Sequence, residues 1–314
     1  MTEIVNDRFQ LLKKCGTGGT GEVYEALDLR LKRKVALKRV RRDSKGNRQE
    51  KAQRLLKEAE YLALVQHPNV VTVHDVIEAE DCVSLILELV EGTPFQDLHR
   101  KRPIAENDLF LYLRQLVAAL ERAHEVGVVH RDVNPRNVLV SPEGVLKLTD
   151  FGLATSVDDP EPRAGGSIGY MAPEAFRRGA RVGFGVDIYG LGMLAYRAVL
   201  GTPGFQRLYG TVEPVEWARW LLSRERFKTL ADLGAPVSPA LSALVEKMIE
   251  KDPAQRYQKI TEVKKDLDTV AAAGSRRPPA PEGPSLASAV RRLLPAILAR
   301  PQDKSHRPPP SGGA

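Results

Sequence analysis

Several protein classes are excluded by what this chain has little of. Its 314 residues include only two cysteines, Cys15 and Cys82, far apart and in no C-x-x-C spacing. That excludes a disulfide scaffold and a cysteine-based zinc site and points to a reducing compartment, the cytoplasm. Cys15 adjoins a glycine-rich stretch. A small apolar residue closing a strand is the preferred reading there over a redox-sensitive thiol. No run reaches the ~18 apolar residues of a membrane-spanning helix, and 1–8 is polar where a secretory leader would be apolar. A broad basic surface is lacking too. The net charge is +7, but 274–314 holds seven Lys/Arg against Glu282 and Asp303, so the first 273 residues carry only +2. No nucleic-acid partner is expected from that distribution.

What remains is an ordinary globular composition, 42% hydrophobic and 28% charged, on a chain long enough for two lobes. Phe9–Lys14, Gly21–Asp28 and Lys34–Val40 read as strands around a glycine loop and a charged turn. The polar stretch 41–52 reads as a mobile connection. Leu55, Leu56, Ala59, Leu62 and Ala63 then recur at helical spacing and place Glu58 on a helix. Val70–Ile77 and Cys82–Leu89 are β-rich, which makes a five-strand, one-helix small lobe. After Gly92 the pattern turns helical. Leu109, Leu113, Leu116, Val117, Leu120 and Ala123 form a stripe of period 3.6. Short strands fall at 138–140 and 146–148, and helices near 186–200, 215–224, 239–250 and 260–272. No internal repeat is seen.

The last segment, 274–314, has nine prolines and few aromatics. It cannot bury enough apolar area to fold alone and is expected to be disordered. Leu286, Val290, Leu293, Leu294 and Ile297 lie at helical spacing within it, suited to docking on a partner or a membrane surface. Pro295 interrupts them at a cost of about 3 kcal/mol, so a weakly ordered tail is preferred.

The chemistry lies in short motifs in a fixed order: Gly16-Thr17-Gly18-Gly19-Thr20-Gly21-Glu22-Val23, Val35-Ala36-Leu37-Lys38, His130-Arg131-Asp132 with Asn137, Asp150-Phe151-Gly152 and Ala172-Pro173-Glu174. A lone G-x-G-x-x-G could open a dinucleotide fold, but here the glycines lie between two strands. A lysine ending a buried strand is costly unless paired. Oxygen-bearing Asn137 and Asp150 suit a hard cation. Taken together over residues ~9 to ~271, the motifs resemble the eukaryotic-type (Hanks-type) serine/threonine protein kinases, in a form similar to the bacterial ones.

The resemblance implies a bilobal α+β fold, with a small lobe at 9–90 and a large lobe at 91–271. It also implies ATP with Mg2+ (or Mn2+) as cofactors and proteins with Ser/Thr acceptors as partners. Gly16, Gly18 and Gly21 would let backbone approach the phosphates. Val23, Ala36 and Leu139 would enclose the adenine. The Glu88 carbonyl and Val90 backbone would meet its edge, with Leu87 as gatekeeper. Lys38 would hold the α- and β-phosphates with Glu58 as its partner; Glu60 lies on another helix face, and an Arg54–Glu58 surface pair is the plainer alternative. Asp132 would accept the substrate proton, and Asn137 and Asp150 would ligate the metal. His130 is expected to be structural, stacked with Leu62, Val73 and Phe151. Glu174–Arg256 resembles a buried bracing pair, and Asp187 an anchor of the catalytic loop.

Two departures stand out. Asn134 replaces the lysine usual two residues after the catalytic aspartate; Arg136 is the candidate to supply the missing charge, or else a surface residue. Arg163 occupies the usual activation-segment phosphosite. Asp159 or Glu161 is therefore expected to pair with Arg131 in place of a phosphate, with a solvated acidic loop as the alternative. In the Gly-Ser segment at 166–167, the Ser167 hydroxyl is expected to contact Asp132, as in Ser/Thr-type enzymes. The rival readings are a pseudokinase, favoured by Asn134 alone, and a small-molecule kinase, disfavoured by the Ala-Pro-Glu segment.

Overall fold

The computed structural model describes residues 3–18, 21–41, 47–100, 102–159, 165–177 and 183–274. The first lobe is one antiparallel sheet. Its strands are β1 (Ile4–Val5), β2 (Phe9–Gly18), β3 (Gly21–Asp28), β4 (Arg33–Arg41), β5 (Val73–Glu78) and β6 (Cys82–Glu88), in the spatial order β1-β2-β3-β4-β6-β5. Alternation sends Val35 and Leu37 of β4 to one face, where Phe9, Leu11, Ala26, Ile77 and Ile86 complete a small core. Val40, Val83, Leu85 and Leu87 join the main core, which holds Leu55, Ala59 and Leu62 of helix α1 (Asn47–Leu64).

Sequence and structure part at three places in this lobe. A short strand, β1, adds a sixth member ahead of residue 9. Helix α1 starts at Asn47, inside the stretch expected to be a connection; 42–46 lie outside the described residues. The β-rich run from Val70 divides. Val71 N–H donates to Leu148 O (2.9 Å) and Leu148 N–H to Asn69 O (2.8 Å), so Val70 and Val71 serve the second lobe and β5 begins only at Val73.

The second lobe is built around α4 (Gly185–Tyr209), whose residues from Val186 to Val199 are nearly all buried, as befits a helix apolar all round. At Gly201 (φ 66°) the chain leaves helical geometry; the positive φ suits glycine, and a side chain there would also meet the backbone of Arg102 and Pro103. Around α4 lie α2 (Phe95–His99), α3 (Glu106–Glu125), α5 (Pro214–Leu222), α6 (Pro239–Met248) and α7 (Ile260–Gly274). Helix α6 starts where its sequence signals: Ser238 Oγ accepts from Leu241 N–H (3.2 Å) with Pro239 behind it.

Short strands under the first lobe carry the loops that hold the motifs. These are β7 (Thr93–Pro94), β8 (Val128–Val129), β9 (Val138–Val140), β10 (Leu146–Leu148) and β11 (Thr155–Ser156). The 130–137 loop joins β8 to β9, and the 149–154 turn joins β10 to β11. Pairing of β10 with β9, and of β11 with β8, brings the two loops side by side. The expected tail lies outside the described residues from 275 onward.

Candidate active site

Lys38 lies within the buried run of strand β4, only 6% exposed. Its Nζ donates to both Glu58 oxygens (2.7 and 2.9 Å) and to Asp150 Oδ1 (3.0 Å). Burial alone would lower the Lys38 pKa; the two carboxylates outweigh it and hold the pKa above the ordinary lysine value. Burial raises Asp150, but Lys38, His130 and the Gly152 N–H bring it below the usual carboxylate range. Glu58, not Glu60, meets the lysine. Glu60 pairs with Lys57 and Arg54 with Glu50 on the outer surface of α1.

In the 130–137 loop, Asp132 is oriented at both oxygens. Oδ1 accepts from Ser167 N–H (2.7 Å) and Oδ2 from Asn137 Nδ2 (2.9 Å). Contact with Ser167 is therefore made by its backbone, not by the expected hydroxyl. His130, fully buried, uses Nδ1 to accept from Asp132 N–H (3.2 Å) and Nε2 to bond Thr149 O (3.1 Å), and packs edge-on against Phe151. With both nitrogens engaged it is a structural residue, as expected. Asp187 holds the loop by accepting from His130 N–H (2.9 Å), Arg131 N–H (2.7 Å) and His124 Nε2 (2.9 Å). Burial works against its charge, but these donors keep its pKa below the ordinary value. They also hold Arg131 at φ 68°, a backbone region unfavourable to a side-chain-bearing residue.

The donor set fits a hard divalent cation. Asn137 spends Nδ2 on Asp132, and among the described residues its Oδ1 has no hydrogen bond. Asp150 gives Oδ1 to Lys38 and Gly152, with Oδ2 unused. No cluster of three or more His, Cys, Asp or Glu ligands occurs among the described residues. An ion here would complete its shell with water and phosphate oxygens, the usual habit of Mg2+.

The nucleotide-facing residues fall into place around this group. Val23 on β3 pairs in register with Lys38, and Ala36 on β4 with Leu87. Glu88 directs its N–H to Thr72 O (2.8 Å), and Val90 makes no backbone hydrogen bond among the described residues, which leaves an edge able to pair with a flat heterocycle. Leu139 lies on β9, half-buried. Gly16 has open space where a Cβ would go, as a ligand-facing backbone requires. Gly21 has another reason to be glycine: at φ 125° its Cβ would lie 2.4 Å from Arg39 O, so the close approach is to β4. Residues 19 and 20, at the loop tip, lie outside the described residues.

Arg136 is not brought to these groups. Its exposed side chain donates from Nε to Gln96 Oε1 on α2 (2.8 Å). Asn134, 1% exposed, staples the loop: Nδ2 donates to Asp132 O (3.0 Å) and Oδ1 accepts from Arg136 N–H (2.8 Å). Arg131, Arg54, Lys57 and Asp159 line a cavity of about 270 Å3 between α1 and the 151–159 segment. Asp159 accepts from Thr155 Oγ1 (2.7 Å), and its charge acts on both Arg131 and Lys57. Glu161 and Arg163 lie outside the described residues. Glu174 and Arg256 form the expected bracing pair (2.7 and 3.1 Å). The sequence reading missed His124 and Gln96. Neither sits in a motif, and only the packing of α3 and α2 against the loop reveals them.

With this geometry in view, comparison with known proteins is direct. The family model described as the protein kinase domain matches residues 9–267. A probable serine/threonine-protein kinase of Clostridium perfringens is 34% identical over 85% of this chain and 39% of its own length. Serine/threonine-protein kinase PknA of Mycobacterium tuberculosis is 32% identical over 97% of this chain and 74% of its own. PrkC of Bacillus subtilis, also named a serine/threonine-protein kinase, is 30% identical over 84% and 41%. The chain thus spans less than half the length of some of these relatives and about three quarters of another. The bilobal α+β architecture agrees with these matches, and the chain belongs to the protein kinase family, among its bacterial serine/threonine members.

Proposed function

We propose that this chain transfers the γ-phosphoryl group of Mg-ATP to serine or threonine hydroxyls of proteins, its own included. The observation that carries the reading is the convergence in one cleft of a charged lysine held by two carboxylates and an aspartate oriented at both oxygens. ATP supplies the phosphoryl group and the metal neutralises its charge. Lys38 holds phosphate oxygens through an ammonium that its two carboxylate partners keep protonated against the effect of burial. Glu58 fixes where that ammonium sits. Asp132 accepts a hydrogen bond from the acceptor hydroxyl and then its proton, with Asn137 and the Ser167 N–H setting the carboxylate's direction. Asn137 and Asp150 would hold the metal. Gly16, Gly18, Val23, Ala36, Glu88, Val90 and Leu139 receive the nucleotide. Arg136 is left out of the transfer step because its guanidinium is bonded to Gln96.

Asp159 takes the place that a phosphate would otherwise fill beside Arg131, so activity needs no prior phosphorylation. The unbridged cysteines suit a reducing compartment, the cytoplasm. Among the described residues no helix is long and apolar enough to cross a membrane. The test is incorporation of labelled phosphate into a generic protein substrate, with Asp132→Asn as control. Phosphoserine or phosphothreonine from wild type alone is the expected result; equal labelling by both proteins would sink the proposal.

A further inference from the structure

Two arginines, Arg197 and Arg136, have no part in the transfer chemistry proposed above, and among the described residues no acid pairs with either. Arg197, on α4, is half-buried, its guanidinium carbon 4.7 Å from the Tyr170 ring centroid and 4.3 Å from that of Phe205. Its Nε is buried without a hydrogen-bond partner, and among the described residues it forms no ion pair. Room for the group depends on Gly169, where a Cβ would lie 2.6 Å from Arg197 Nη1. A half-buried guanidinium held by two rings and left unneutralised costs stability, and a carboxylate of matching geometry would repay it. Arg136, exposed on the catalytic loop, acts on the same phenol. Burial raises the Tyr170 pKa, and Arg197 and Arg136 both pull it back. Arg197 also helps burial depress His99, to about 4, so its charge is felt on α2 as well. The acid nearest in sequence on α2, Asp97, faces Arg100 instead (4.0 Å).

Position gives the pair its meaning. Tyr170 N–H donates to Ser167 O (2.7 Å), and Ser167 N–H donates to Asp132 (2.7 Å). The arginines therefore flank the segment that also orients the proton acceptor. A peptide whose hydroxyl reaches Asp132 must run its neighbouring residues past that segment. We propose that Arg197 and Arg136 form a subsite for a carboxylate side chain of the acceptor peptide, so that this chain selects Ser/Thr sites with a nearby Asp or Glu. Both guanidiniums present forked donors suited to a carboxylate. This inference rests on the reading of the chain as a protein kinase.

The test uses serine peptides that differ only in Glu, Gln or Lys at each of the three positions on either side of the acceptor. Wild type is expected to prefer Glu over Gln at one or two positions by about tenfold in kcat/KM, carried by KM. Arg197→Gln and Arg136→Gln should each cut that ratio to about threefold or less, and Arg197→Lys should restore part of it. If Arg197→Gln does not fold, exposed Arg136→Glu carries the test and should raise the Lys peptide above the Glu peptide. A Glu preference unchanged in the variants, or absent in wild type, overturns the proposal. An equal fall in kcat on every peptide with Arg136→Gln would assign that arginine to phosphoryl transfer and overturn its part. The same peptides are titrated by fluorescence anisotropy against Asp132→Asn. Glu-dependent binding without phosphorylation by wild type would refute the kinase reading and keep the subsite. Phosphorylation without Glu dependence would do the reverse.

Discussion

Lys38 and Arg256 are both cations with almost no exposure, and each pairs with a glutamate from a different element. They are built for opposite ends. Arg256 aims all five N–H groups: Nη1 and Nη2 at Glu174 (2.7 and 3.1 Å), Nη1 also at Gly185 O (2.9 Å), and Nε and Nη2 at Glu250 O (3.0 and 2.9 Å). The planar fork has no donor left to exchange, so this pair can only brace the lobe. Lys38 divides three bonds between Glu58, 2% exposed at its side chain, and Asp150, 38% exposed and facing the cleft. An ammonium on a flexible stem can trade one of those bonds for a phosphate oxygen. The difference teaches that burial and pairing do not by themselves mark a functional ion pair. What marks it is a partner that can be replaced.

The largest effect should come from removing the exchangeable cation. Lys38→Met is expected to lower kcat for peptide phosphorylation by about 10²–10³-fold, the scale of losing one preorganised electrostatic contact. Arg256→Ala should leave kcat per folded molecule little altered but cost roughly 3–5 kcal/mol of stability, read as a lower midpoint in a denaturant melt. If the two variants exchanged phenotypes, the contrast would fail.

A pH series sharpens the same contrast on a smaller scale. Burial already pushes the Glu58 carboxyl up, and Lys38 opposes it. Without Lys38 the folded-state pKa rises further above the unfolded value. Between those two values the folded state binds more protons than the unfolded, so stability falls as pH rises. The melting gap between wild type and Lys38→Met should therefore widen from pH 5 to pH 8, by at most about 1.4 kcal/mol per pH unit. A flat Lys38→Met gap would mean that Glu58 finds another cation.

Much of this site was legible in the chain because its parts are short and local. Lys38, Asp132, Asn137 and Asp150 sit in motifs whose spacing survives without tertiary knowledge. Glu58 followed from the family's offsets to Leu62, Val65 and His67-Pro68-Asn69, and its helix face separated it from Glu60. What was not legible depends on pairing between distant segments. Val70 and Val71 are β-rich by composition, yet the bridge around them, through Asn69 O and Val71 N–H, is to Leu148, more than seventy residues away. Ser167 was expected at Asp132 by its hydroxyl, but backbone geometry in the 165–170 segment turns the N–H there instead. Polar residues 47–51 carry no apolar stripe of their own; the helix extends through them into Ala52 and Leu55, which are buried in the core. The unanswered charge of Arg197 appears only once Tyr170 and Phe205 close around it.

Between the braced pair and the exchangeable pair lies a third arrangement, and it should give the smallest effect. Arg131 is buried enough to lower its pKa, with Asp187 and Asp159 opposing that loss. Asp159 is itself steadied by Thr155 and faces a cavity that also holds Arg54 and Lys57. A carboxylate carries one charge where a phosphate carries nearly two, so the attraction of Asp159 for Arg131 should order the 151–159 segment less firmly than a phosphate would. It is, however, present from synthesis. Phosphatase-treated protein is therefore expected to keep its peptide-phosphorylation rate within about twofold, while Asp159→Asn should lower it several-fold, the scale of one partly solvated ion pair. Loss of activity on dephosphorylation would show that a modified residue, not Asp159, supplies the charge. An Asp159→Asn protein as active as wild type would place Arg131 with Arg256, as a brace that needs no switch.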